Sequence, residues 1–267
     1  MQICIILQKA ILLNKLDGMV KEERYELIIK VLENDGKAGY DDLAIKFGVS
    51  PDTVRRDIEQ LNKMGLLSKI RGGAAVRSIL PFAFQDRAQE FNGGKNVIAL
   101  KVQQLIASGQ TIFMDGGTTN CAVATHFPVD VNIRVITNNI ALLPILSRFP
   151  KIEIIVLGGV YFRELEVNAG QLTCDNIAQY VADLYLMGAC GVDDTMGITA
   201  SLREDGEAKQ AMRRAARKTV VLGSQKKLGI VEFFKVADLS DVNVLVTELP
   251  STHHSLDPFR SSVSQIQ

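Results

Sequence analysis

Two adjacent arginines, Arg55 and Arg56, fall within a stretch whose pattern predicts a short helix beginning at Pro51. Ser50 occupies the N-cap position before it, and proline suits the first helical position because the N–H it lacks has no partner there. The apolar residues recur at helical spacing in one narrow stripe, Val54, Ile58 and Leu61. A guanidinium presents a planar fork of donors that fits a base edge or a phosphate, so this helix is predicted to enter the major groove of DNA.

The segment after this helix is basic and predicts a two-stranded wing. It alternates loosely from Leu66 to Val76 and carries the pair Gly72-Gly73, and no acidic residue occurs between Glu59 and Asp86. This local asymmetry favours nucleic acid although the formal net charge is +0. The predicted DNA contacts are Ser50, Thr53, Arg55, Arg56 and Gln60 on the helix, with Lys69 and Arg71 on phosphates.

Two earlier segments supply the elements that position this helix. Glu22 to Asn34 and Asp41 to Phe47 carry apolar residues at helical spacing, and Gly48-Val49-Ser50 is a tight turn between helices. This arrangement is typical of a helix-turn-helix. The same residues would also fit a plain helical hairpin with a solvated charged face.

A second chemistry is indicated by Asp115-Gly116-Gly117-Thr118-Thr119, which follows a buried strand and opens a helix. Glycines let backbone amides approach an anion closely, and a helix N-terminus adds partial positive charge. Polar or glycine-rich residues also end the next two strands, at Thr137-Asn138-Asn139 and at Gly158-Gly159. Glycine after a strand is common in any α/β fold, but three such endings on successive strands predict a ligand site there.

Helical and strand patterns alternate from Asn96 onward, which predicts βαβ units and a doubly wound, mostly parallel sheet. The predicted helices are 97–107, 120–126, 141–148, 173–181 and 207–217. The predicted strands are 111–114, 133–136, 152–157, 184–187, 220–222 and 242–246. The predicted fold class is therefore α/β, with an N-terminal winged helix-turn-helix before the sheet domain.

The length of 267 residues suits two domains, and the 47% apolar fraction suits compact ones. The predicted division is a tail or misassigned start at 1–18, a DNA-binding domain at 19–78, a linker at 79–95, a second domain at 96–249 and a polar tail at 250–267. The sequence contains no run of about twenty apolar residues, so no membrane span is predicted. Four cysteines and three histidines are scattered without paired spacing, which predicts no metal site, no disulfide and a reducing cytoplasm.

The run V-S-x-x-T-V-R-R-D-I-x-x-L-x-x-x-G-L-L-x-x-x-x-G-G-A, from Val49 to Ala74, is similar to the DeoR family of bacterial transcriptional regulators. The later order D-G-G-T-T, T-N-N, G-G, Y-L-M-G-A-C-G-V-D, G-I-T and E-A-K-Q-A-M resembles the sensor domain of that family, so the resemblance covers about residues 19–248. It implies a fold like that of ribose-5-phosphate isomerase and an effector that is a phosphorylated intermediate of sugar metabolism.

The resemblance also assigns residues to the effector. Asp115 to Thr119 match a phosphate-binding loop and Thr137 to Asn139 match a second loop. Lys209 and Lys227 match lysines that would balance the phosphate charge. For Lys209, an exposed helix lysine is an equal alternative. The chain departs from the family motif D-S-S-K-F-G at 224–229, where it has S-Q-K-K-L-G.

A further departure concerns catalysis. The isomerase strand resembles Y-I-D-G-A-D-E, whose two aspartates transfer protons, whereas this chain has Met187 and Cys190 at those positions. A thioether does not act as a base, and an ordinary thiol is mostly protonated at neutral pH. We therefore expect the scaffold of the isomerase without its reaction.

The leading functional hypothesis is a repressor of a carbohydrate-utilisation operon that binds double-stranded operator DNA without a cofactor and responds to a phosphorylated sugar. One recognition helix makes too few base contacts for a unique operator, so a homodimer or homotetramer is expected. The alternatives are a sugar-phosphate isomerase-like enzyme with an appended DNA-binding module, and a structural nucleoid protein, which would need a stronger positive charge.

Overall fold

The computed structural model describes residues 20–63, 66–70, 72–76, 84, 87 and 92–267. The chain divides into two compact units, within residues 1–79 and 80–267. No helix in the described ranges is long and apolar enough to cross a membrane. The predicted tail at 1–18, part of the predicted linker, and the predicted phosphate contact Arg71 lie outside the described residues.

The first unit is a three-helix module with a small sheet. Its helices are α1 (Lys21–Asp35), α2 (Tyr40–Phe47) and α3 (Pro51–Lys63), and its strands are β1 (Lys37–Gly39), β2 (Leu67–Ile70) and β3 (Gly73–Val76). The antiparallel sheet has the order β1-β3-β2, so the predicted wing carries a third strand. The sequence did not indicate β1 because three residues are too few to show a period of two.

The apolar stripe of α3 lies in the core of this unit, and its members are fully buried: Val54, Ile58 and Leu61. Arg24 of α1 and Asp57 of α3 form a buried ion pair beside this core, with 3.2 Å between Arg24 Nη2 and Asp57 Oδ1. Gly48 ends α2 in the left-handed conformation, with φ +66°, and this permits the tight turn into α3. The helix-turn-helix arrangement predicted from the sequence is therefore present.

The second unit alternates strands with helices. Its strands are β4 (Thr111–Met114), β5 (Arg134–Thr137), β6 (Glu153–Val156), β7 (Val160–Phe162), β8 (Val167–Ala169), β9 (Ala182–Gly188), β10 (Gly191–Asp193), β11 (Gly197–Ala200), β12 (Ala216–Leu222), β13 (Phe234–Ala237), β14 (Val244–Val246) and β15 (Gln265–Ile266). Its helices are α4 (Asn92–Gln103), α5 (Thr118–Thr125), α6 (Leu143–Leu146), α7 (Gln171–Ile177) and α8 (Arg203–Arg214).

Seven of these strands form one parallel sheet in the order β15-β14-β12-β9-β4-β5-β6, which confirms the predicted fold class. Both faces of the sheet are buried, and this is why its strands read as continuous apolar runs. Because the strands are parallel, the carboxyl ends of β4, β5, β9 and β12 meet along one edge. That edge carries the segments predicted to bind a ligand.

Most predicted boundaries in the second unit differ from the structure by a few residues, and three differences change how an element is described. Helix α4 begins at Asn92, inside the predicted linker. The predicted helix 141–148 is a 3-10 turn, Ile140–Leu142, followed by α6, in which Pro144 cannot donate a helical hydrogen bond. The predicted helix 207–217 ends at Arg214, and the next strand already begins at Ala216.

The last residues, predicted as a polar tail at 250–267, are part of the fold. Strand β15 pairs in parallel with β14, and a 3-10 turn places Leu256 and Phe259 in the interior. The serine-rich composition concealed this contribution because only a few apolar side chains anchor the segment. The interpretation of these residues as a tail was wrong for this reason.

Candidate nucleic-acid interface and effector site

The polar face of α3 is accessible to a ligand. Arg55, Arg56 and Gln60 are exposed on the side opposite the buried stripe. Ser50 caps the helix, because its Oγ accepts from the backbone N–H of Thr53 at 3.1 Å and lies 2.8 Å from Thr53 Oγ1. A capped helix end that presents arginines and small polar groups has the shape and charge that a major groove accepts.

Both arginines have weak partners in the free protein. Arg56 Nη2 donates to Asp52 Oδ2 at 2.8 Å, and the two side chains are 78% and 62% exposed. An exposed pair one helical turn apart contributes about 0.5 kcal/mol or less, so a phosphate or a base can displace Asp52 at small cost. The Arg55 guanidinium lies over the ring of Tyr40 in α2, 5.8 Å from its centroid.

Lys69 connects the wing to α3. Its Nζ donates to Glu59 Oε1 at 2.6 Å, and its backbone N–H donates to Asn62 Oδ1 at 3.0 Å. The lysine therefore lies beside the recognition helix. Its contact with a phosphate stays a prediction.

The glycine loop, residues Asp115 to Thr119, connects β4 to α5. Gly117 adopts φ +123°, a conformation that favours glycine, and a Cβ built there would meet no atom within 4 Å. The loop is therefore open beside Gly117. The first amides of α5 have no acceptor within the helix, as at any helix N-terminus, and they can bind an anion.

Asp115, the first residue of the glycine loop, is 1% exposed and is bound by groups within the protein. Its carboxylate accepts from Lys209 Nζ at 2.7 Å, the Gly188 N–H at 2.7 Å, the Tyr185 hydroxyl at 2.5 Å and Asn120 Nδ2 at 2.8 Å. These bonds tie the end of β4 to β9, α5 and α8. Asp115 therefore shapes the loop, and its contact with an effector stays a prediction.

Lys209 is 2% exposed, so the alternative of an exposed helix lysine was wrong. Its Nζ lies 2.7 Å from Asp115 Oδ2 and 3.4 Å from Asp205 Oδ2. Burial alone would lower the pKa of Lys209, but the two carboxylates outweigh it and raise that pKa above its ordinary value. The ammonium is thus charged and already neutralised by two carboxylates.

The side chains of the second predicted loop are fully buried, and two of them bond to the end of β4 and to the first residue of the glycine loop. Thr137 Oγ1 donates to the Met114 carbonyl at 2.5 Å, and Asn139 Nδ2 donates to the Asp115 carbonyl at 3.2 Å. Asn138 Nδ2 donates instead to a carbonyl of β8 at 2.7 Å. The geometry gives these three residues a positioning role, and direct contact with an effector stays a prediction.

The remaining predicted groups follow β6 and β12. Gly158-Gly159 packs on α7, where Thr173 Oγ1 donates to the Gly158 carbonyl at 2.7 Å. Lys227 is half-buried in a 3-10 turn after β12. Glu248 anchors this turn, because its two carboxylate oxygens accept from the Gln225 N–H at 3.0 and 3.1 Å. The structure therefore spreads the predicted effector residues along the sheet edge.

A cavity of about 340 Å³ lies beside the glycine loop, and most of the residues that line it were not predicted as site residues from the sequence. Its lining includes Phe84, Lys95, Asn96, Thr118, Cys121 and Ile145. Burial raises the pKa of the Cys121 thiol to about 12, so this thiol stays protonated at neutral pH. The sequence prediction placed the start of the helix after Lys95 and therefore did not place this residue beside the glycine loop. Among the described residues, no cluster of histidine, cysteine and carboxylate side chains could hold a metal ion.

Two family models match the chain, the DeoR-like helix-turn-helix domain over residues 24–79 and the DeoR C terminal sensor domain over residues 91–249. The HTH-type transcriptional repressor GlcR of Bacillus subtilis (strain 168) is 32% identical over 237 residues, which cover 86% of this chain and 89% of the relative. The glycerol-3-phosphate regulon repressor of Haemophilus influenzae is 30% identical over 230 residues, which cover 86% and 90%.

Similarity to solved structures is more distant. Ribose 5-phosphate isomerase A from Methanocaldococcus jannaschii is 16% identical, with a TM-score of 0.38 over 50% of this chain and 53% of that chain.

Proposed function

The chain belongs to the DeoR family of transcriptional regulators, and from this we propose that it represses a carbohydrate-utilisation operon under the control of a phosphorylated sugar. The proposal rests on the exposed, capped face of α3, which presents Arg55 and Arg56. The second unit adds an open helix N-terminus at Gly117. The relative named for the glycerol-3-phosphate regulon supports a small phosphorylated polyol or sugar as the effector class.

The DNA-bound form that we propose is a symmetric homodimer or homotetramer in the cytoplasm. One α3 helix spans only a few base pairs, and two copies related by a twofold axis would read two half-sites about one helical turn apart. Thr53, Arg56 and Gln60 would contact base edges, and Lys69 would contact phosphates.

The rival function, a sugar-phosphate isomerase, lacks a base at the positions of the isomerase aspartates. Met187 is fully buried in the core, and Cys190 occupies the other position. Asp193 follows nearby, but its Oδ1 accepts from the backbone N–H groups of Thr195 and Met196 at 3.0 and 2.9 Å. Asp193 therefore caps a turn and is not poised to remove a proton from a substrate.

We expect this protein to bind a phosphorylated compound without converting it. The test is to incubate the purified chain with ribose 5-phosphate, glucose 6-phosphate and glycerol 3-phosphate, each paired with its unphosphorylated parent, and to follow ligand signals by NMR. The expected result is line broadening for at least one phosphorylated member, no broadening for its parent, and no new isomer signals. Saturable turnover that disappears in Asp193→Asn would establish the enzyme instead.

A further inference from the structure

The two arginines on the polar face of α3 are held in different ways. The Arg56 guanidinium donates to the carboxylate of Asp52. The Arg55 guanidinium instead lies over the ring of Tyr40, 5.8 Å from its centroid, and in the described part of the chain it forms no ion pair and no hydrogen bond. Attraction between a cation and a ring face consumes no N–H donor. The donors of the Arg55 guanidinium therefore stay available for DNA.

The position of Tyr40 is fixed by the wing and by the core of the first unit. Tyr40 follows β1 directly and is the first residue of α2, and its backbone N–H donates to the Gly72 carbonyl, between β2 and β3, at 2.9 Å. Just before it, β1 pairs with β3 from Lys37 to Gly39. The ring is half-buried and packs against the core that contains the α3 stripe. The wing thus determines, through this ring, where Arg55 lies.

A neutral ring positions the arginine without competing for it. Two carboxylates, Asp41 and Asp42, are exposed in the same first turn of α2, yet neither forms an ion pair with Arg55 among the described residues. A carboxylate in that role would occupy N–H donors and would repel the phosphates of approaching DNA. The tyrosine ring does neither. The arrangement at Tyr40 therefore keeps the arginine both restrained and ready to bind.

We propose that Tyr40 is a positioning residue for operator recognition, and that it holds the Arg55 side chain where its guanidinium contacts the DNA. This inference rests on the proposed DNA binding. An unrestrained arginine loses rotamer freedom when it binds, and a side chain that is already restrained in the free protein loses less. Tyr40 would thereby increase affinity for the operator without touching a base itself.

The test is a double-mutant cycle on operator binding, followed by fluorescence anisotropy with an operator that the unaltered chain has selected from random DNA. The variants are Tyr40→Leu, Tyr40→Phe, Arg55→Ala, and Tyr40→Leu combined with Arg55→Ala. We expect Tyr40→Leu to weaken binding about 3- to 10-fold, because the arginine must then be ordered on binding. Tyr40→Phe keeps the face of the ring and is expected to stay within about twofold of the unaltered chain. In the Arg55→Ala background, Tyr40→Leu is expected to have no further effect.

Tyr25→Leu is the matched control. Tyr25 is also half-buried against the same core, and it carries a cation, the Lys21 ammonium, 5.4 Å from its ring centroid, but on α1. We expect this variant to bind the operator as tightly as the unaltered chain does. Thermal unfolding of each variant shows whether it is folded, and Tyr40→Met replaces Tyr40→Leu if the latter does not fold.

A loss in Tyr40→Leu that persists undiminished in the Arg55→Ala background would overturn the inference, because Tyr40 would then act through the fold and not through Arg55. No loss in Tyr40→Leu, an equal loss in Tyr25→Leu, or an equal loss in Tyr40→Phe would also overturn it. Each of these results leaves the proposed DNA binding standing. If the unaltered chain selects no operator from random DNA, the proposed function fails and the inference fails with it.

Discussion

Replacing Lys209 with methionine is expected to lower the free energy of unfolding of the second unit by about 3–5 kcal/mol. Methionine fills a similar volume, so the change removes charge and hydrogen bonds while leaving the packing largely intact. It leaves Asp115 and Asp205, which are 1% and 4% exposed, without their cation. Urea unfolding followed by circular dichroism, with hydrogen exchange of peptides from β4 and β9, measures the loss and locates it.

The matched control is Lys235→Met, which breaks a pair with Asp238 whose side chains are 48% and 63% exposed. Its cost is expected to stay below about 1 kcal/mol. A Lys209→Met variant as stable as this control would show that the buried network does not hold the glycine loop.

The pH dependence of the free energy of unfolding that is lost in Lys209→Met identifies the cause of the loss. Burial raises the pKa of Asp115, and Lys209 is the group that most opposes this rise. Without Lys209 the pKa of Asp115 rises further above its unfolded value, so the folded variant binds an extra proton as pH falls. The loss of stability is therefore expected to shrink as pH falls from neutral toward 3.8, the ordinary pKa of an aspartate. A deficit that is constant across this range would point to lost packing.

Arg56→Ala is expected to weaken operator binding by about 1–3 kcal/mol, which is roughly 5- to 150-fold in affinity. Arg56 is 78% exposed and its partner Asp52 is an exposed neighbour on the same helix, so the fold is expected to remain intact. Affinity for the operator should fall more than affinity for unrelated DNA, because the residue lies on the face that reads bases. Fluorescence anisotropy titrations with both DNAs measure the difference.

Lys69→Ala provides the comparison on the wing. A phosphate contact carries no sequence information, so this variant is expected to weaken both DNAs about equally and to reduce the salt slope by about 1. If Arg56→Ala bound the operator as tightly as the unaltered chain, or if the two variants behaved alike, the assignment of α3 as the recognition helix would be wrong.

Local signals in the sequence were sufficient for the DNA-binding unit and for the parallel sheet. The cap at Ser50, the stripe at Val54 and Ile58, and the turn at Gly48 are short-range features with a single physical interpretation. The buried strands of the sheet were also predictable, because both faces of the sheet are covered and most residues of its central strands are apolar. The α/β fold class was predictable from this alternation.

The polar interior of the second unit was not predictable in the same way. Asp115, Tyr185 and Lys209 are far apart in the sequence. They meet only because β4 pairs with β9 and α8 packs against β9. A polar residue after a strand looks the same whether it faces a ligand or a buried partner, so Thr137 to Asn139 were predicted as ligand contacts although their side chains bond to the protein. The position of Lys95 beside the glycine loop was not predicted, because its helix begins earlier than the sequence indicated.

Control of operator binding by a phosphorylated compound is tested most directly by titrations with paired compounds. The operator is first selected by the protein from random DNA, and anisotropy is then recorded with glycerol 3-phosphate and glycerol, glucose 6-phosphate and glucose, and ribose 5-phosphate and ribose. We expect one phosphorylated member to change operator affinity by about 5- to 150-fold and its parent to have no effect. Gly117→Val, which places a side chain at the open side of the glycine loop, is expected to lose this response. Operator affinity that is unchanged by every phosphorylated member, or changed equally by a phosphorylated compound and its parent, would contradict control by a phosphorylated sugar.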